Sequence, residues 1–203
     1  MKNSAAATSL YLMDWHGHFL SHDPMRDRFS VSPFNPGILP DLTINAPKHF
    51  SLPTDIQFIK HISMPKPFPT CIMDDAGGGY VSLFFPQKQR YLTCLPIPEQ
   101  QEQAVIRAEF VHGWEKFIPF TPAALRGLSL LMLPELYSII SKDGRPVSAL
   151  TLHPHSNIGS IDGFNISIVD NIRNFDLIGK ENTEINLINQ ENSEKLSLTI
   201  HKK

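Results

Sequence analysis

Only two cysteines occur in 203 residues, Cys71 and Cys94, and they form neither a Cys-x-x-Cys pair nor a disulfide framework. Both are expected to be reduced residues in strands or at strand edges. Charge of one sign is also missing: 18 Lys and Arg stand against 20 Asp and Glu, for a net charge of −2. Without clustered Lys and Arg there is no broad field to draw nucleic acid or an acidic membrane, so neither is expected as a partner. No stretch approaches the ~18 apolar residues of a membrane span, and the first fifteen residues hold one basic residue and no signal-peptide core. The chain is therefore expected to be cytoplasmic. Catalytic signatures are absent too. No Gly-x-Ser-x-Gly elbow is present, and the glycines of "DDAGGGYV" precede a strand and lack the Lys-Ser/Thr of a phosphate cradle, which leaves a flexible loop. Asp74, Asp75, Glu109 and Glu115 could supply a glycosidase pair, but only their spacing in the fold decides that chemistry. No cofactor is expected.

What is present is punctuation. Seventeen prolines and eleven glycines cut the chain into segments mostly five to eight residues long, leaving helices of ordinary length little room. Between them the apolar residues are β-branched or aromatic and alternate: "LYLM" from 10, "FSVSPF" from 29, "YVSLFF" from 80, "RYLTCL" from 90, "AVIRAEF" from 104, "EKFIPF" from 115, "ALTLH" from 149, "FNISIV" from 164, "INLIN" from 185 and "LSLTI" from 196. Runs of period two at this spacing read as an all-β sandwich or barrel. The exception is "TPAALRGLSLLMLPEL", in which Ala123 to Leu125 could form a single helical turn. A chain of this size typically buries ~70% of the surface it exposes when unfolded, enough for a self-sufficient core.

The segment starting at Val81 can be laid over the one starting at Leu128 without a gap, so that Leu83 meets Leu130, Leu92 meets Ile139 and Phe117 meets Phe164. A third copy, with a shorter second half, starts at Leu10, where Phe19-Leu20 matches Tyr91-Leu92. Three four-stranded units are what a β-trefoil-like barrel requires, with no open edge left for aggregation. The strands "HFLS" and "RYLTC", followed in the middle unit by "HGWEKF", resemble the repeats of fascin-like β-trefoils. That resemblance implies a trefoil over residues 10–169 and leaves function open. The expected organisation is a tail at 1–9, a domain at 10–169 carrying a Pro-rich insertion at 48–76, and a C-terminal β extension at 170–203 packed on the same domain. The extension exceeds what a bare trefoil needs, which keeps a β-sandwich or jelly roll as the alternative.

Residues 13–23, "MDWHGHFLSHD", concentrate three of the nine histidines beside a tryptophan. In one unbroken strand His16 and His18 would share a face, as a metal-binding His-x-His pair does, and His153 and His155 repeat the spacing. Gly17 and Pro154 are turn residues that break this parity, so solvent-exposed turn histidines are the expectation. Trp15 stands in the hairpin turn and is expected to pack across the hairpin onto the insertion, the alternative being a partly exposed face free to stack on a ligand, whereas Trp114, aligned with Ile161, is expected in the core. The primary reading is a non-enzymatic module that recognises carbohydrate or a protein partner through hairpin loops, with Trp15, His16, His18 and Arg26 as the contact patch. The Gln-x-Trp motif of ricin-type lectin trefoils is absent, so sugar binding does not follow from that family. The alternatives are a cupin-like enzyme with a metal on His16, His18, His153 and His155, and an accessory subunit of a larger complex. The sequence leaves the oligomeric state open.

Overall fold

A computed structural model of the chain describes residues 8–23, 25–37, 40, 44–46, 71–96, 104–178 and 183–203. The expected tail, through residue 7, and residues 48–70 of the expected insertion lie outside the described residues. The chain divides into two compact units: Met1–Phe34 with Pro40–Pro119, and Asn35–Leu39 with Phe120–Lys203. The expected boundary at 169/170 falls inside the second unit.

The strands of the first unit are β1 (Thr8–Asp14), β2 (His18–Asp23), β3 (Arg28–Pro33), β4 (Ile44–Ala46), β5 (Ile72–Gly77), β6 (Tyr80–Phe85), β7 (Arg90–Cys94), β8 (Ala104–Ala108) and β9 (Phe117–Phe120). They pair in the order β2-β3-β8-β7-β6-β9-β1, and β1 pairs back with β2, closing a seven-stranded barrel. β4 adds to β1, and β5 adds to β6. The chain is thus mostly β, as the alternating pattern implies. The core follows that alternation: Leu10 and Leu12 from β1, Leu20 from β2, Phe29 and Val31 from β3, Val81, Leu83 and Phe85 from β6, Leu92 and Cys94 from β7. Residues two apart on a strand share a face, so these rows turn inward together, and each fully buried apolar side chain contributes about 1.5–3 kcal/mol of transfer free energy. The "DDAGGGYV" segment forms a tight hairpin where a flexible loop is expected. Gly77 pairs with Tyr80 across a two-residue turn whose Gly78 and Gly79 have φ +64° and +83°. That turn needs positive φ at both central positions, which glycine adopts without a steric penalty.

The second unit opens with helix α1 (Pro122–Leu131), whose N-terminus is capped by the Thr121 hydroxyl accepting the Ala124 N–H at 3.0 Å. Thr at the cap and Pro at the first position favour a helix start. The expected single turn at Ala123–Leu125 therefore continues to Leu131, and Leu128, which opens the third repeat copy, is helical. The strands that follow are β10 (Tyr137–Ser141), β11 (Pro146–Val147), β12 (Thr151–Leu152), β13 (Ile158–Ile161) and β14 (Phe164–Ser167). A 3₁₀ turn (Val169–Asn171) then leads into α2 (Ile172–Leu177), which is followed by β15 (Thr183–Ile188) and β16 (Lys195–Lys202). They form one sheet ordered β11-β10-β16-β15 and another ordered β12-β13-β14. The Phe175/Leu177 pair reads as strand alternation, but in α2 it splits: Phe175 is fully buried and Leu177 is exposed. α1 and α2 approach at Gly127, where an added Cβ would lie 1.9 Å from the Phe175 carbonyl oxygen. Asn171, fully buried, joins the 3₁₀ turn to β15. Its Nδ2 donates to the Ser167 and Ile188 carbonyls, and its Oδ1 accepts the Ile188 N–H at 2.8 Å.

Candidate ligand-binding platform

The β1–β2 turn is built by Asp14. Its Oδ1 accepts the N–H groups of His16 (2.9 Å) and His18 (2.8 Å), and its carbonyl accepts the N–H of Gly17 at 3.1 Å. Gly17 has φ +82°, so the chain reverses within three residues and Trp15 projects at the apex. Asp14 itself is fully buried. Its Oδ2 lies 3.7 Å from His18 Nδ1 and has no hydrogen-bond partner among the described residues.

The expectation of solvent-exposed turn histidines is corrected here: His16 and His18 are only 7% and 8% exposed. The burial has two visible causes. His18 opens β2 directly against the Asp14 carboxylate, and the His16 ring stands 6.3 Å from that of Trp114. Trp114 departs from its expected core position and is 43% exposed. It lies in the connection between β8 and β9, where its carbonyl accepts the Cys94 N–H at 2.8 Å. Trp15 is 36% exposed, in line with a place in the turn. Its indole lies across Gly113, where a Cβ would touch it at 3.5 Å, and its ring centroid is 5.4 Å from that of Tyr80. Three connections thus meet at one end of the barrel: Asp14–His18, Gly77–Tyr80 and the stretch of the β8–β9 connection at Gly113–Lys116.

Arg26 does not join them. It sits in the turn at the far end of β2, about 20 Å away for six residues of strand. There it is exposed and pairs with Asp23 at 3.8 Å. His153 and His155 belong to the second unit, where His153 donates its N–H to the Ile158 carbonyl and His155 adopts φ +54° in an exposed turn. Among the described residues, no three His, Cys, Asp or Glu side chains are placed to hold one metal ion.

Glu115, 4% exposed, accepts the His112 N–H at 2.9 Å. Burial pushes the Cys94 thiol well above its ordinary range, and the negative charges of Asp14 and Glu115 push it further. Burial alone pushes Cys71 up to about 12. Both thiols are free and stay protonated at neutral pH, so neither is a ready nucleophile. The Lys116 ammonium stands 5.6 Å from the centroid of the Tyr80 ring. Chemically the arrangement offers flat aromatic faces with polar groups at their margin, and it presents no activated nucleophile.

Tyr80, Lys116 and Asp14 carry no linear motif that marks them as part of a site, and Glu115 stands out only as one of four carboxylates that could supply a glycosidase pair. Tyr80 has one contextual signal, its place directly after a glycine hairpin. The fold and site define a β-barrel unit with an aromatic end-platform. No family model matches the chain, and no curated protein is significantly similar to it.

Proposed function

We propose that the barrel unit is a non-catalytic binding module that takes carbohydrate on the platform formed by Trp15, Tyr80 and Trp114. The observation that carries the reading is that both tryptophans of the chain, each partly exposed, gather with a tyrosine at one end of the barrel. A sugar ring presents flat C–H faces bounded by hydroxyls, and such faces stack on aromatic rings that have one side open to water. The contact of Trp15 with Gly113 holds its indole in place before a ligand arrives, which lowers the ordering cost of binding. A glycan array probed with the full chain, and with Trp15→Ala and Trp114→Ala, tests the reading. The expected outcome is a set of bound glycans that each variant loses by tenfold or more, about 1.4 kcal/mol. A blank array, or variants that bind as well as the parent, refutes it.

A protein partner is the second reading. It is favoured by Phe110, which is 70% exposed in the same β8–β9 connection as Trp114. The fascin-like trefoil resemblance belongs with these proposals. Its support is that each of the first two sequence units, from Leu10 and from Val81, supplies four strands, β1 to β4 and β6 to β9.

A further inference from the structure

Resting on the carbohydrate reading, we propose that the sugar selected by this platform carries a positively charged amine, as glucosamine does. The rings of Trp15 and Tyr80 meet at 40° and form a corner, and aromatic faces present negative electrostatic potential to whatever sits in it. The chain already seats a cation on one of these rings, since the Lys116 ammonium lies over Tyr80 at 5.6 Å. Two buried carboxylates adjoin these residues along the chain, Asp14 before Trp15 and Glu115 before Lys116; Asp14 Oδ2 lies 3.7 Å from His18 Nδ1 and has no hydrogen-bond partner among the described residues. Their charge reaches Cys94, the last residue of β7. The other titratable groups around the corner are His16 and His18 from the hairpin, His112 from the β8–β9 connection and Asp75 from β5, whose Oδ1 caps the Gly77 N–H at 2.8 Å.

Among the described residues, three carboxylates and two ring faces therefore stand against one permanent cation, Lys116. A neutral sugar would gain stacking alone. A carboxylated sugar would meet the negative potential of the acids and the rings. An ammonium on the sugar would take the position that Lys116 holds and let that flexible side chain move into water. Lys116 is on this account a resident competitor, so removing it improves binding.

The test titrates the full chain, Lys116→Met and Glu115→Gln with three probes: a glucosamine tetramer, its fully N-acetylated counterpart and a galacturonate tetramer. In Glu115→Gln the amide retains an oxygen to accept the His112 N–H while losing the charge. The expected order for the parent is glucosamine tightest and galacturonate weakest. Lys116→Met should bind the glucosamine tetramer about two- to fivefold more tightly, the worth of one exposed cation–π contact. Glu115→Gln should bind it about threefold more weakly, with little change for the acetylated probe. If the acetylated tetramer binds as tightly as the free amine, or if Lys116→Met weakens the amine probe, this inference is overturned while the carbohydrate reading stands. If none of the three probes binds and the glycan array is blank, the carbohydrate reading falls and takes this inference with it.

Discussion

Replacing Asp14 by alanine removes the acceptor that closes the β1–β2 turn. Two N–H groups, of His16 and His18, then lose their partner inside a buried hairpin. Each buried donor left unsatisfied costs about 1–3 kcal/mol. Part of that is offset, because a carboxylate with one oxygen lacking a hydrogen bond is no longer buried. The net destabilisation should be about 2–4 kcal/mol. Asp14→Asn separates the acceptor from the charge: its Oδ1 can accept the same two N–H groups, so the loss should stay below about 1 kcal/mol. The assay is urea unfolding of the full chain at neutral pH, followed by circular dichroism, with tryptophan emission of the folded state recorded alongside. Alanine should lower the midpoint and shift emission to the red as the Trp15 apex loosens, and asparagine should do neither to a comparable extent. Alanine within about 0.5 kcal/mol of the parent, or asparagine as damaging as alanine, would refute the reasoning.

Gly127→Ala should destabilise the second unit. Alanine gains about 1 kcal/mol of helix propensity but places its Cβ 1.9 Å from the Phe175 carbonyl oxygen, and overpacking at helix contacts costs about 1–3 kcal/mol. A melting temperature equal to or above the parent's would contradict the close approach of α1 and α2. Asn171→Ala should cost about 2–4 kcal/mol by stranding the Ile188 N–H and two carbonyls, and hydrogen exchange should quicken at Ile188. Unchanged exchange at Ile188 would remove Asn171 as the link to β15. Cys71 and Cys94 should resist a thiol reagent at about pH 8 in the folded chain and both react after unfolding. Because folding raises both thiol pKa values, the unfolded chain sheds protons first as pH rises. Stability should therefore fall between about pH 9 and about 12, and a flat profile there would contradict the burial of the thiols.

Phe29 and Val31, Val81 and Leu83, and Leu92 and Cys94 alternate in the sequence, and in the barrel each pair turns inward. Strands of this kind are legible because a one-residue slip would turn the whole apolar row outward. Helix α1 is less legible. "LSLLML" serves an inward-facing strand or a buried helix face equally well, and the gapless match with the Val81 segment favours the strand. The local signal for a helix, Thr121 capping before Pro122, points the other way and prevails. α2 is only six residues long, too short for its period to separate from alternation.

The site is partly legible in the same way. Gly17 marks the turn, and an apical Trp15 follows from it. The burial of His16 does not, because it depends on Trp114 returning to that end about a hundred residues later, and that of His18 follows from its place against the Asp14 carboxylate. Repeat alignment sends Trp114 to the core by matching it with Ile161, but Ile161 ends β13 whereas Trp114 lies in a turn, so the two do not share a backbone position.

Both tryptophans of the chain sit at the proposed binding surface, so intrinsic fluorescence tests the central claim directly. Oligosaccharides that the full chain binds should change tryptophan emission saturably, at the same midpoint that calorimetry gives. The signal should halve or vanish in Trp15→Ala and Trp114→Ala. Binding that calorimetry detects with tryptophan emission unmoved would place the ligand elsewhere and contradict the platform.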